Sequence, residues 1–319
     1  MYFTYIVLMR GLFVNMHLQI FSVPERMAFP MNLSSFAVIG HPIGHTMSPF
    51  IHAHLFALSG LSPEYSVLDV PDIPGALDTL RRLDGFNITI PHKSAILPFL
   101  DEVDEKARLF GSVNTVKNES GRFTGYTTDG VGCYKALRRF GLDFSGRLLI
   151  LGRGGAARAV AFEAALSEKA PQIDFACRAE SMEGARALVG ELGALCGKQG
   201  KRGSFSVLSY EALESRTDRY DLVLNATSVG MYPNAGRSVV GESVLARCGA
   251  AFDAVYNPGE TEFLRLARKN GLTAVGGMGM LVCQAVAAHE IWYGASFADA
   301  DIERLILDAE AETERLFRA

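Results

Sequence analysis

The chain has 319 residues, 49% of them hydrophobic and 21% charged, the make-up of a soluble globular protein long enough for two domains. A net charge of −4 leaves no basic field for nucleic acid or an anionic membrane surface. The five cysteines, Cys133, Cys177, Cys196, Cys248 and Cys283, form no C-x-x-C pair, which argues against a disulfide framework or a zinc site and for a reducing cytoplasm.

Residues 1–34 read as an extension outside the fold. Met1–Phe21 is apolar but broken by Arg10, Asn15, His17 and Gln19, short of the ~20 apolar residues a membrane helix needs. It also lacks the basic start and small-x-small cleavage site of a signal peptide. Met27 and Met31 stand just before the first strand, and a later start at one of them is expected.

Ser35–Gly40 is a short apolar strand. Ser48-Pro49 then reads as a helix start, with serine as N-cap, and the helix runs to Gly60. Among the four histidines between His41 and His54, His52 and His54 are two apart and project to different sides of that helix. The cluster lacks ligand spacing, so no metal is expected. Tyr65–Val70 is a second strand and Pro74–Leu83 a helix. Phe86–Ile90 is a third strand, apolar at alternate positions, stopped by Pro91, which has no N–H for the ladder. Strand–helix alternation implies a parallel sheet. The end of the third strand delivers Asn87, Thr89 and Lys93 toward one crevice; the bland alternative is a half-buried strand followed by a surface lysine.

Gly111–Val116 and Arg122–Tyr126 look like paired strands around a turn at Asn118–Gly121. Asp129 opens the next helix, where it would serve as a cap, as a catalytic acid, or as both. A new unit starts near Gly146. The strand Arg147–Leu151, the turn Gly152-Arg153-Gly154-Gly155-Ala156-Ala157 and a helix to Leu166 set G-x-G-x-x-A in the context a dinucleotide site requires. Glycines let the backbone approach a pyrophosphate, which sits on the helix N-terminus. The following strand, Ile173–Cys177, ends on Arg178 where an NAD site has an acid, and a guanidinium suits a 2′-phosphate, although Glu180 lies close by. Asp221–Asn225, Ala250–Val255 and Leu272–Val275 are further strands, with a helix at Thr261–Asn270. A helix after Gly276 carries Gln284, His289 and Trp292. A last helix, Ala298–Phe317, alternates acids with apolar residues.

In this order the motifs resemble the shikimate dehydrogenase family. They are Gly40-x-Pro42-x-x-His45-x-x-Ser48-Pro49, Asn87-x-Thr89-x-Pro91-x-Lys93, Val113-Asn114-Thr115 and Thr128-Asp129-Gly130-x-Gly132. Gly152-x-Gly154-Gly155-Ala156, Asn225-Ala226-Thr227-Ser228-x-Gly230-Met231, Asp253-x-x-Tyr256-x-Pro258 and Gly279-Met280-Leu281-x-x-Gln284 follow. The resemblance spans Phe36 to Gly294. It implies an α/β substrate domain over 35–128 and 277–319, with the C-terminal helices returning to it, and a Rossmann-like NADP domain over 129–276. The implied reaction is reversible reduction of 3-dehydroshikimate to shikimate by NADPH, toward aromatic amino acids, in a cytoplasmic monomer or homodimer.

Lys93 and Asp129 correspond to the family's catalytic pair, and Thr46, Ser48, Asn87, Thr89, Asn114 and Gln284 to substrate contacts. The cofactor side would comprise Gly152, Arg153, Gly154, Gly155, Ala156, Arg178, Asn225, Thr227, Val255, Gly277 and Met280. The chain departs from the family at several of its positions. Thr46 replaces serine, Thr127 replaces asparagine, and Arg153 replaces a small residue of the glycine loop. Cys177 and Ala179 flank Arg178 where Asn and Thr are common, and His289 replaces phenylalanine. Thr46 and the weakened neighbourhood of Arg178 keep open a quinate/shikimate or aminoshikimate dehydrogenase. A catalytically silent nucleotide-binding protein is the reading that intact Lys93, Asp129, Asn114 and Gln284 oppose.

Overall fold

Strand and helix alternate along the chain and build two six-stranded sheets. The computed structural model describes residues 34–44, 46–167 and 172–317, so the expected extension up to residue 33 and His45 lie outside the described residues. The first sheet comprises β1 (Ser35–Gly40), β2 (Glu64–Asp69), β3 (Gly85–Ile88), β4 (Glu102–Val103), β5 (Thr115–Glu119) and β6 (Arg122–Tyr126), in the order β2-β1-β3-β5-β6-β4. Helices α1 (Ser48–Leu58), α2 (Ile73–Leu80) and α3 (Glu105–Phe110) connect them. The parallel pairing implied by strand–helix alternation holds for β1 with β2 and β3, and β5 and β6 pair around their turn as expected; with β5 antiparallel to both β6 and β3, the sheet as a whole is mixed. The physical reason is the short connection between β5 and β6, where the Gly121 N–H donates to Asn118 Oδ1 at 2.8 Å, because parallel neighbours need a long crossover.

The second sheet is all parallel: β7 (Arg147–Leu151), β8 (Gln172–Cys177), β9 (Ser204–Ser209), β10 (Tyr220–Asn225), β11 (Cys248–Asp253) and β12 (Thr273–Val275), in the order β12-β11-β10-β7-β8-β9. Helix α4 (Asp129–Arg138) leads into it, and α5 (Gly155–Leu166), α6 (Met182–Lys198), α7 (Tyr210–Glu214), α8 (Glu242–Leu245) and α9 (Glu262–Lys269) alternate with its strands. Leu148 and Ile150 of β7 pack with α4, α5 and α6, whereas Leu149 and Leu151 pack with α7, α8 and α9. Both faces are therefore covered, which is why the strands read as continuous apolar runs. Strand order reverses between β7 and β10, a topological switch point where such sheets bind ligands.

Helices α10 (Met278–Tyr293) and α11 (Asp299–Phe317) return to the first sheet and pack with α1 through Met47, Ile51, Leu55, Val282, Val286 and Leu305. Among the described residues no helix is long and apolar enough to cross a membrane. The third strand departs from expectation. It stops at Ile88, all four of its residues are buried, and Ile90 beyond it is 74% exposed. Phe86 and Ile88 enter the core beneath α2, while Asn87 points to the other face, so neither side meets water.

Candidate active site

Lys93 follows a turn that leaves β3 and is fixed by its surroundings. His92 N–H donates to the Thr89 carbonyl at 3.0 Å, and the buried His92 ring hydrogen-bonds the Val70 carbonyl at 2.6 Å. The Lys93 carbonyl accepts from Val113 N–H at 2.8 Å. On this anchored backbone the Lys93 Nζ donates to Asp129 Oδ2 at 2.5 Å, with the two side chains 23% and 10% exposed. Asp129 is the first residue of α4 and does not cap it; Thr128 is the N-cap residue. Its other carboxylate oxygen accepts from Asn114 Nδ2 at 2.8 Å, so the carboxylate holds the lysine in place and sits favourably at the helix N-terminus.

Asn114 is the hub. Its Nδ2 also faces Thr128 Oγ1 at 2.9 Å and Gln284 Oε1 at 3.4 Å, and its Oδ1 accepts from Thr128 N–H at 2.7 Å. The Thr128 hydroxyl lies 3.3 Å from Gln284 Oε1, and Gln284 Nε2 donates to the Leu281 carbonyl at 3.0 Å. This network joins β5, α4 and α10, elements far apart in sequence. It depends on Gly132: a Cβ there would lie 2.9 Å from Gln284 N and Cβ and from the Met280 carbonyl oxygen. Thr128 belongs to the site although the family resemblance does not assign it; its signal was its place directly before Asp129.

Thr46 and Ser48 come together at the start of α1. Thr46 Oγ1 lies 3.1 Å from Ser48 Oγ and accepts from Ser48 N–H at 3.2 Å. Ser48 is not the expected N-cap. Met47 occupies that position without a side-chain cap, Ser48 is the first helical residue, and the Thr46 hydroxyl takes the exposed N–H. Asn87 is buried and largely committed. Its Oδ1 accepts from the Tyr65 hydroxyl at 2.8 Å, and its Nδ2 donates to Thr115 Oγ1 at 3.2 Å and to the Asn114 carbonyl at 3.4 Å. It pins β2, β3 and β5 together behind the site, with Tyr65 as a partner that sequence reasoning missed. Burial pushes the Tyr65 phenol well above its usual pKa, offset in part by a hydrogen bond with Ser48. Thr89 is half-buried, its methyl group close against Gly40, where a Cβ would be 2.5 Å away. Tyr256, quoted in a motif but given no role there, packs against the cluster that holds Met47 and so ties the loop after β11 to the start of α1.

At the switch point, Gly152 has φ +101, and a Cβ on it would lie 2.8 Å from the Thr227 methyl group. Gly154 is the N-cap residue of α5 and provides no side-chain cap, and added Cβ atoms at Gly154 and Gly155 would meet nothing within 4 Å. The first N–H groups of a twelve-residue helix, with Ala156 in its first turn, thus face open space, a cradle suited to a pyrophosphate. Asn225 is fully buried. Its amide donates to Asp253 Oδ1 at 2.9 Å and accepts from Thr227 N–H and hydroxyl at 3.1 and 2.7 Å, so it shapes the Thr227 loop. Val255 N–H donates to Asp253 Oδ1 at 3.0 Å, and Gly277 N–H donates to the Val255 carbonyl at 3.3 Å. Met280 is packed in the core beside α4. Arg178 is exposed at the end of β8 and paired with Glu180 at 3.2 Å.

A family model described as the shikimate dehydrogenase substrate binding domain matches residues 38–116. The chain is 39% identical over 267 residues to the shikimate dehydrogenase (NADP(+)) of Caldanaerobacter subterraneus subsp. tengcongensis, covering 82% of this chain and 92% of that one. Among solved structures, the shikimate 5-dehydrogenase of Thermus thermophilus in complex with NADP(H) and shikimate superposes with a TM-score of 0.75 at 34% identity, covering 86% of this chain and 99% of its own. A chorismate mutase/shikimate 5-dehydrogenase fusion protein from Clostridium acetobutylicum gives a TM-score of 0.78 at 33% identity, covering 89% and 100%. With a curated relative 39% identical over 82% of this chain and solved structures that match across both sheets, the chain belongs to the shikimate dehydrogenase family.

Proposed function

We propose that this protein is an NADP-dependent oxidoreductase that interconverts 3-dehydroshikimate and shikimate on the route to aromatic amino acids. It is a cytoplasmic enzyme of small molecules, monomeric or homodimeric. The observation that carries the reading is the 2.5 Å Lys93–Asp129 contact, clamped from behind by Asn114 at 2.8 Å. The first sheet with α10 and α11 forms the substrate domain, and the second sheet forms the cofactor domain, its boundaries near residues 129 and 276.

The uncapped N-terminus of α5, with Gly154 and Gly155 opening on free space, fits a dinucleotide's pyrophosphate. NADPH supplies the hydride when bound. The Lys93 ammonium delivers a proton to the ketone oxygen during reduction and the same nitrogen receives it during oxidation, help typically worth about 10²–10⁴ in rate. Asp129 keeps that nitrogen aimed. Asn114, Gln284 and Thr89 offer amide and hydroxyl partners for the substrate hydroxyls, and Thr46 and Ser48 for its carboxylate. A buried polyol requires such partners, since each unpaired hydroxyl costs about 1–3 kcal/mol. Asn87 acts behind them.

Initial rates of purified protein with shikimate or quinate, each with NADP⁺ or NAD⁺, test the proposal through absorbance of the reduced cofactor. Activity concentrated on shikimate with NADP⁺ is expected. Equal rates with quinate or NAD⁺ would replace it with a broader quinate/shikimate activity, and no turnover with any pair would remove it.

A further inference from the structure

Two arginines leave adjacent parallel strands of the second sheet at the same level. Leu151 of β7 pairs with Ala176 of β8, and Arg153 and Arg178 each stand two residues beyond that pair. Both therefore emerge at the C-terminal edge of the sheet, on the side of β8. Arg153 turns toward α6 rather than toward the N-terminus of α5. A Cβ on Gly184, in the first turn of α6, would lie 2.6 Å from Arg153 Nη1, 2.8 Å from Cζ and 3.1 Å from Nε. The guanidinium therefore rests on the bare Cα of Gly184, in space that any side chain would take.

Cations outnumber the one acid that bears on this corner. Burial pushes the Cys177 thiol up, the Arg153 and Arg186 guanidiniums pull it back and Glu180 adds to the rise, which sets both arginines near the residue that precedes Arg178. Among the described residues no carboxylate pairs with Arg153. Arg178 has only Glu180, at 3.2 Å and with both side chains exposed, a solvent-screened pair that opens at little cost. In a βαβ dinucleotide site the end of the second strand faces the adenosine ribose. An arginine in the glycine turn would ordinarily be read as a pyrophosphate contact, but its seat on α6 turns it toward that ribose instead.

We propose that Arg153, berthed on Gly184, and Arg178 form a two-guanidinium clamp for the ribose 2′-phosphate, with Arg153 as a specificity-determining residue. The proposal rests on the NADP reading and assigns its selectivity to two positions. Planar guanidinium forks suit phosphate oxygens bidentately, and two of them compensate for the hydrogen-bonding side chains that Cys177 and Ala179 lack.

Titration calorimetry with 2′,5′-ADP and 5′-AMP tests this without turnover. Wild type should bind 2′,5′-ADP at least tenfold tighter than 5′-AMP. Arg153→Ala should lose most of that preference while binding 5′-AMP normally. Gly184→Leu, a helix-compatible change at a half-buried position, should displace the guanidinium and reproduce the loss, and the double variant should be no worse than Arg153→Ala. Fluorescence-monitored melting of each variant checks that it is folded. A clear wild-type preference that survives Arg153→Ala would overturn the clamp and leave Arg178 alone with the phosphate. Gly184→Leu with wild-type preference would overturn the berth. Absence of any wild-type preference would overturn the clamp together with the NADP assignment.

Discussion

Asp129→Asn isolates the role of the carboxylate with almost no change of shape. In the wild type both carboxylate oxygens accept, one from Lys93 Nζ at 2.5 Å and one from Asn114 Nδ2 at 2.8 Å. Asparagine has one acceptor and one NH₂ group. If its oxygen faces Asn114, its NH₂ meets the lysine ammonium; if it is flipped, its NH₂ meets that of Asn114. Either rotamer places donor against donor, and one bonded group loses its partner. That costs about 1–3 kcal/mol, toward the lower end here because Lys93 can turn to water. Turnover should suffer more, because the proton-transferring nitrogen is no longer aimed, and a fall in kcat of about 10²–10⁴ is expected with a KM for shikimate within a few-fold. Steady-state kinetics with urea unfolding of the same samples separates the two effects. A variant with wild-type kcat, or one whose whole defect lies in KM, would refute this reasoning.

Other consequences can be checked separately. His52 and His289 are buried with their ring nitrogens 2.9 Å apart; burial holds both below the usual histidine pKa, His289 at about 3. The unfolded chain protonates them near 6.5, so it binds more protons below that pH, and stability falls as pH drops by about 1.4 kcal/mol per unit per residue. Between pH 6.5 and 5 wild type should therefore lose about 2 kcal/mol relative to His289→Phe in urea titrations, and parallel stability curves would contradict it. Gly132→Val forces α4 from α10 where a Cβ already lies 2.9 Å from Gln284, so it should cost about 1–3 kcal/mol and lower kcat by displacing Gln284. Unchanged kinetics would show that this helix contact does not set the site. Tyr65→Phe removes the 2.8 Å hydrogen bond to Asn87 and should cost about 0.5–1.5 kcal/mol, seen as a raised KM for shikimate with kcat largely kept.

What was legible in the sequence was local. The order of strands and helices, the uncapped glycine turn before α5 and the candidacy of Lys93 and Asp129 could be read because each lies within a few residues of its own signal. What was not legible depended on contacts across the fold. The hairpin of β5 and β6 is marked by its turn residues, but nothing local records that β5 also joins β3, antiparallel, in the middle of the sheet. Asn87 reads as a substrate contact because it shares a strand with Thr89; that its amide also ties Tyr65 and Thr115 of two other strands to β3 is written nowhere near it in the chain. Ser48 has the sequence of a cap, but Thr46 does the capping. Arg153 could point to solvent or to phosphate on sequence alone; only the missing side chain at Gly184, thirty-one positions later, shows where it rests.

The most direct test of the central claim, that Lys93 is the proton-transferring group, is turnover of Lys93→Ala measured beside its affinity for shikimate. In that variant kcat should fall by about 10²–10⁴ while the Kd for shikimate, by calorimetry, stays within a few-fold of wild type. Near wild-type turnover in that variant would contradict it and move the proton to another group.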